Sequence, residues 1–253
     1  MSSKLLLFDV DGTIAESAKE LDHNMKHILQ NLTLKGIDIG IVGGGKLDKV
    51  LQQLGNTYIQ HYFTECGCVY HENQSSDPNT FQLVPMYMKN IRHHPLYPKI
   101  NLLIKKALNF LSQVDYTLTG NFIDLRNGII YISLIGLSAN ENERQYFMAI
   151  DRVYEYRKQL LHKLHTLAKE IHVFDKLCIY EGGSVGIAIY PVEYDKTQVL
   201  ESVKDRYREI HYFGDKYLID GNDHQLINHP DVIGHRVDSV SDTQQILELF
   251  LKK

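Results

Sequence analysis

The sequence predicts an α/β fold in which a parallel sheet core is interrupted by an inserted α+β domain. Three observations lead there. Short buried-strand runs alternate with amphipathic helical stretches at both ends of the chain, the order that strand–helix–strand crossovers require. The middle of the chain carries hairpin-type strand pairs and long helical stretches instead. Acid-rich clusters follow two of the outer strands, Asp9-Val10-Asp11-Gly12-Thr13 near the start and Gly214-Asp215-Lys216 near the end. In a parallel sheet, strand ends far apart in sequence meet at one edge.

Taken in order, Lys4 to Phe8 is the kind of apolar run that forms a strand buried on both faces. It breaks into two carboxylates one residue apart, then a glycine and a hydroxyl. Extended alternation sends Asp9 and Asp11 to one side and Val10 to the other. Two such carboxylates repel unless a cation lies between them, and hard oxygen donors suit Mg²⁺. With a metal in place Asp9 can attack phosphorus, and Asp11 can handle the proton of the leaving or entering hydroxyl.

Glu20 to Leu34 has helical spacing, with Gly36 as its stop. Ile37 to Val42 is a second buried strand and runs into Gly43-Gly44-Gly45, where backbone amides at a helix N-terminus can cradle a phosphate. The following helix presents Leu47, Val50, Leu51 and Leu54, and stops at Gly55. Short strands then flank a polar turn over residues 71–80. Ile100 to Leu111 is amphipathic, and Thr119–Leu125 and Ile129–Ile135 are strands joined by Arg126-Asn127-Gly128, an Asn-Gly hairpin signal. One long helix is expected over residues 142–170, followed by an antiparallel pair, Leu177–Tyr180 with Ser184–Tyr190. The core resumes at Pro191. Asp195-Lys196 opens a helix and Glu209–Phe213 is a strand; Val232–Val237 is the last strand, and Ser241 caps the closing helix. The expected organisation is therefore residues 1–83 and 190–253 as core and 84–189 as insertion.

The second acidic cluster completes the chemistry. Asp215 would close the metal shell with Asp9 and the backbone carbonyl of Asp11, and Asn222 and Asp223 would hold metal waters or Asp215 itself. Lys196 would neutralise the phosphoryl group. Composition fits an enzyme of ordinary globular type, with 43% hydrophobic and 23% charged residues. A net charge of −4 without a basic run gives no nucleic-acid or membrane surface. No segment has the make-up of a secretory leader or a membrane span. Three cysteines without zinc-type spacing point to a reduced, cytoplasmic protein rather than a disulfide scaffold.

Phe8-Asp9-Val10-Asp11-Gly12-Thr13 resembles the first signature of the haloacid-dehalogenase (HAD) superfamily of aspartyl phosphotransferases. Val42-Gly43-Gly44, Leu125-Arg126-Asn127-Gly128, Pro191 through Asp195-Lys196, and Phe213-Gly214-Asp215-Lys216 with Gly221-Asn222-Asp223-His224 narrow that resemblance to the eukaryotic-type phosphomannomutases, nearly end to end. The resemblance implies a HAD-type Rossmann-like core with an α+β cap, dimeric through the caps. It also implies interconversion of mannose 6-phosphate and mannose 1-phosphate with Mg²⁺ and a hexose 1,6-bisphosphate activator. Cap arginines clamp the distal phosphate in that family, a task for which the planar guanidinium is suited. Arg126 and Arg144 stand at such positions, with Asn127, Gly44, Gly45 and Lys19 as further substrate contacts.

The departures lie mainly on the substrate side. Ala18 stands where the family has an arginine, with Lys19 beside it, and Leu137 replaces a second arginine. Gly186-Ile187-Ala188 replaces a Ser-x-Asp, and Gly45 replaces a small hydroxyl residue. Two lost contacts to a charged group amount to about 3–6 kcal/mol, or ~10²- to 10⁴-fold in affinity, as an upper bound. That loss would harm a mutase more than a phosphatase, because the bisphosphate must be held and turned round. A sugar phosphate or bisphosphate phosphatase is thus the alternative, and a non-catalytic family member the third reading.

Overall fold

The structure, a computed structural model, describes residues 3–17, 19–75, 80–219 and 221–252. Ala18, Asp220 and part of the expected polar turn lie outside the described residues. The chain divides into two compact units, Met1–Lys89 with Tyr194–Lys253, and Asn90–Glu193.

The first unit opens with β1 (Lys4–Phe8), α1 (His23–Leu34), β2 (Asp38–Val42), α2 (Leu47–Leu54), β3 (His61–Thr64), β4 (Val69–Asn73) and β5 (Leu83–Met88). The second unit holds α3 (Tyr97–Leu111), β6 (Ile123–Leu125), β7 (Ile130–Ser133), α4 (Glu141–Tyr154), α5 (Tyr156–Glu170), β8 (Leu177–Gly182) and β9 (Gly186–Pro191). The first unit then closes with α6 (Leu200–Val203), β10 (Glu209–Gly214), α7 (His224–Ile227), β11 (Ile233–Arg236) and α8 (Val240–Lys252).

Strands of the first unit lie in the order β11-β10-β1-β2-β3-β4-β5, the first five parallel and the last two antiparallel. From β1 the chain winds one way through β2 and β3, and later the other way through β10 and β11. The order therefore reverses between β1 and β10, which puts a crevice at their carboxyl ends. β1 is apolar from Leu5 to Phe8 because both faces are covered there. Leu6 and Phe8 enter a core with residues of α1, α2 and α8, whereas Leu5 and Leu7 join Phe63, Val199 and Tyr212 on the other face.

In the second unit the sheet order is β6-β7-β9-β8, all antiparallel. α5 packs on β8 and β9 and against α3. Ile130, Ile132, Ile187 and Ile189 are buried, so the alternate positions Tyr131 and Ala188 lie on the opposite face of the sheet.

Several expectations change here. Residues 84–88 belong to β5, which adds an antiparallel strand to the large sheet, so the second unit begins at Asn90 and not at 84. The single long helix is two: Glu155 adopts a left-handed conformation (φ 54), and Asp151 accepts the Arg157 amide at 2.9 Å to restart the helix as α5. Helical periodicity runs through such a break unaltered, so the sequence pattern does not register it. Lys196 opens a 3-10 turn, Lys196–Val199, ahead of the short α6. The last helix starts at Val240, and its start is held by Ser239, whose Oγ accepts the Asp242 amide at 3.2 Å, and not by Ser241.

Candidate active site

The carboxyl ends of β1 and β10 meet as neighbours, and the Asp9 amide still donates to Phe213 O at 2.9 Å. Asp9 thereby projects from the top of β1 into the crevice, with only 7% of its surface exposed. Lys196 Nζ reaches Asp9 Oδ1 at 2.5 Å, Asp223 Oδ1 at 2.7 Å and Tyr212 OH at 3.1 Å. Tyr212 also donates to Asp223 Oδ1, and the Lys216 amide donates to Asp223 Oδ2 at 2.9 Å. Asp215 pairs with the Lys216 ammonium, while its Oδ1 is buried without a hydrogen-bond partner.

Two glycines make this crowding possible. Gly12 sits at φ +91, and a Cβ there would lie 2.6 Å from Asp215 Oδ2. A Cβ on Gly214 would lie 2.5 Å from Asp223 Cγ. Both positions are open because a carboxylate uses the space.

Electrostatically the cluster is overfull of negative charge. Asp9 and Asp223 share the buried Lys196 ammonium while Asp215 pairs with the exposed Lys216, and burial pushes the Asp9 carboxyl up to about 7, against Lys196 and with help from Asp223 and Asp215. Burial alone would lower Lys196, but Asp223 and Asp9 together outweigh it and hold the ammonium well above its usual range. The proton therefore stays on Lys196. Asp9, Asp215 and Asp223 present carboxylate oxygens within 4.8 Å of one another. A hard divalent cation fits this set: the donors are all oxygens, one buried oxygen has no other partner, and added positive charge offsets the excess. Of the three, Asp223 is already committed to Lys196, Tyr212 and the Lys216 amide, so Asp9 and Asp215 are the freer donors.

Strand alternation is not what sets the Asp11 carboxylate. β1 ends at Phe8, Gly12 turns the chain, and Asp11 bridges back to Ala15, so extended alternation does not run as far as Asp11. Its carboxylate accepts from Lys49 Nζ and from Gln53 Nε2, each at 2.8 Å, on α2. Asn222 is exposed in the turn before α7. Lys19 is exposed and paired with Glu16. The Gly43 amide is taken by Phe63 O at 3.0 Å, so it is not one of the bare amides expected of the glycine run.

Arg126, Asn127 and Arg144 form a separate group in the 90–193 unit. Arg126 pairs with Asp124 at 2.7 Å and lies over the Tyr131 ring, 5.6 Å from its centroid. Asn127 O accepts the Ile91 amide at 2.6 Å. Arg144 donates to two backbone carbonyls, Ala139 at 3.0 Å and Leu137 at 3.2 Å. Burial raises the Tyr131 phenol above its ordinary value, against the pull of Arg126, Arg144 and Arg157. This face therefore gathers cationic charge around one aromatic ring.

Sequence reasoning missed Tyr212, Lys49 and Gln53. Tyr212 looks like one more apolar residue of a buried strand, and nothing in its spacing marks the hydroxyl. Lys49 and Gln53 were visible only as an i,i+4 polar pair beside the apolar stripe of α2.

A family model described as eukaryotic phosphomannomutase matches residues 25–253. The chain is 34% identical to the phosphomannomutase of Saccharomyces cerevisiae, over 97% of this chain and 94% of that one. It is 32% identical to the phosphomannomutase of Arabidopsis thaliana, over 94% and 93%. Among solved structures it is similar to an N-terminally truncated, IMP-bound IMP-nucleotidase of Plasmodium falciparum, with TM-score 0.66 and 14% identity over 100% of this chain and 69% of that one. It is also similar to the C-terminal domain of C. albicans trehalose-6-phosphate phosphatase, with TM-score 0.60 and 12% identity over 99% and 93%. At those identities the structures speak for the HAD fold alone. The family model and the two phosphomannomutase relatives, matched over nearly the whole chain, establish that this chain belongs to the eukaryotic phosphomannomutase family of enzymes.

Proposed function

We propose that the chain interconverts mannose 6-phosphate and mannose 1-phosphate through an aspartyl-phosphate on Asp9. The observation that carries this reading is the buried Asp9–Lys196–Asp223 arrangement at the switch point of the sheet, with Asp215 beside it. Asp9 is the nucleophile, and Lys196 orients it and offsets charge as the phosphoryl group arrives. Tyr212 and Asp223 fix Lys196 in place. Asp9 and Asp215, with the Asp11 carbonyl, would hold Mg²⁺, while Asp223 and Asn222 would support that shell. The cation supplies Lewis-acid stabilisation of the phosphoryl oxygens. Asp11 transfers the proton, and Gly44 and Gly45 offer amides to phosphate.

In this reading residues 90–193 serve as the substrate-recognition cap. Arg126 and Arg144, with Asn127, bind the distal phosphate, and Lys19 contributes charge where Ala18 contributes none. Arg144 suits that role because its guanidinium rests on carbonyls near the positive end of α4, a place where an added anion is favoured. A hexose 1,6-bisphosphate serves as activator, and the enzyme works as a cytoplasmic homodimer in the route to GDP-mannose. Exposed Tyr146, Val153 and Tyr154 on α4 support pairing through the cap.

Leu137, Gly186 and Ala188 supply neither charge nor hydroxyl on the cap, which favours a second reading as a sugar bisphosphate phosphatase. One assay separates the two: mannose 1-phosphate with glucose 1,6-bisphosphate, with and without Mg²⁺, following hexose 6-phosphate and free phosphate together. Activator- and Mg²⁺-dependent hexose 6-phosphate with little free phosphate is the expected result. Free phosphate without isomerised sugar would replace the mutase reading with the phosphatase one.

A further inference from the structure

Asp11 is held from α2. Lys49 Nζ donates to its Oδ2 and Gln53 Nε2 to its Oδ1, both at 2.8 Å, so the two oxygens are fixed by two different donors. Lys49 and Gln53 stand one helical turn apart and so point the same way. Gln53 is only 4% exposed, and its amide also reaches Lys19 O at 3.3 Å. The Lys49 stem passes where Gly45 has no side chain, with Cδ 3.5 Å from the place a Cβ would take. Stability does not account for the pair. The Lys49 and Asp11 side chains are 46% and 37% exposed, and such ion pairs contribute about 0–1 kcal/mol.

We propose that Lys49, with Gln53, is a positioning residue that holds the Asp11 carboxylate where it exchanges a proton with the sugar oxygen. The proposal rests on the aspartyl-phosphate reading above. In the first half-reaction an Asp9 oxygen forms a bond to phosphorus, the bond from phosphorus to the sugar oxygen breaks, and the proton of Asp11 goes to that oxygen. In the second half Asp11 takes the proton of the incoming hydroxyl as the bond from phosphorus to Asp9 breaks. A carboxylate held at both oxygens keeps one orientation, and proton transfer falls steeply when that orientation is lost.

The test uses the first half-reaction alone, with two phosphoryl donors that differ in their need for a proton. Glucose 1,6-bisphosphate leaves as an alkoxide and needs one; p-nitrophenyl phosphate leaves as a stable phenolate and does not. Aspartyl-phosphate formation is followed by rapid quench in the Mg²⁺-loaded protein, its Lys49→Met variant and its Lys49→Arg variant. Lys49→Met should slow phosphorylation by the bisphosphate ~10- to 100-fold and by p-nitrophenyl phosphate less than about threefold, with KM for both held. Lys49→Arg should restore most of the loss. Equal slowing with both donors, or a raised KM for both, would mean that Lys49 serves the phosphoryl group, and the proposal falls alone. If the unaltered protein forms no aspartyl-phosphate from either donor, the reading it rests on falls and takes it along.

Discussion

The two ends of the large sheet carry two buried polar networks of opposite character. At the carboxyl ends of β1 and β10, three carboxylates meet the buried Lys196 ammonium and the exposed Lys216 ammonium, and an Asp215 oxygen has no partner. At the amino ends of β2 and β3 a second network is closed. Tyr207 donates to Asp38 at 2.7 Å, and His61 contacts Tyr207 at 2.6 Å and Tyr70 at 2.9 Å. Tyr70 leads on to Glu72, which Arg206 holds through both of its terminal nitrogens. A neutral His61 fits this chain: Nε2–H donates to Tyr207, Nδ1 accepts the one proton of Tyr70, and Glu72 is left to Arg206 and Gln60. One end stores unbalanced charge for a ligand to offset, and the other has already balanced its own. Polar networks inside one sheet therefore serve chemistry in one place and packing in the other, and the distinguishing sign is whether every charge has its partner.

The largest effect separating the two ends is expected from Asp9→Asn. Removal of the nucleophile should lower turnover by at least ~10³-fold. Stability should hold or rise in the metal-free protein. The Asp9 carboxyl is raised from 3.8 to about 7, so its ionisation works against the fold, and stability is lost as pH rises through that window. Asparagine keeps an oxygen for Lys196 and removes the charge. Mass-resolved absence of aspartyl-phosphate together with an unchanged or higher melting temperature would sharpen the contrast; a marked drop in melting temperature would erase it.

At the amino end the sign reverses. Burial lowers His61 from 6.5 to about 4, with Arg206 adding to this and Glu72 opposing it. Its neutral form belongs to the fold, whereas the unfolded chain takes up a proton below 6.5. Its stabilisation is full above 6.5 and is lost as pH falls through about 4, by about 3 kcal/mol in all. His235, buried beside His211 and likewise lowered to about 4, adds a similar loss. Urea unfolding of the protein and of His61→Gln across that window checks this. The variant should be less stable at neutral pH, and its stability should fall less steeply toward acid, by the one proton that His61 takes up on unfolding. An unchanged slope would mean that His61 is not the neutral link assigned to it.

Much of the carboxyl-end site was legible in the sequence, and almost none of the amino-end network was. Asp9, Lys196, Asp215 and Asp223 stand at strand ends or loop starts, where motif spacing and parallel topology leave few alternatives. Asp38, His61, Tyr70, Glu72, Arg206 and Tyr207 are scattered polar residues whose pairing depends on strand register, which no local pattern encodes. The parallel core and the antiparallel middle followed from periodicity, whereas the order of the strands came only with the structure. The break at Glu155 and the strand status of residues 84–88 did not, since the first rests on one residue's φ and the second on a partner strand. Asp11 shows the same limit within the motif itself. Alternation was a sound rule for a strand, but the strand had already ended at Phe8.

The smallest effect tests whether the closed network is structural only. Arg206 holds Glu72 below its usual carboxylate range: burial raises Glu72, and the hydrogen bond and charge of Arg206, aided by the Gln60 hydrogen bond, outweigh it. Breaking a fully buried pair costs about 3–5 kcal/mol, but the Arg206 side chain is 41% exposed, and water will screen part of what is lost. Arg206→Met should therefore lower unfolding free energy by about 1–2 kcal/mol, the Glu72 carboxylate being left to Gln60. Turnover should stay within about twofold, because nothing in this network touches the crevice at the other end of the sheet. Adding Glu72→Gln removes the second charge, and the double variant should regain part of the loss, since a neutral amide is less costly to bury than an unpaired carboxylate. Two results would break the comparison. A fall in turnover larger than the fall in stability explains would tie the amino end to catalysis, and a double variant weaker than Arg206→Met would mean that Glu72 contributes through its shape and hydrogen bonds rather than its charge.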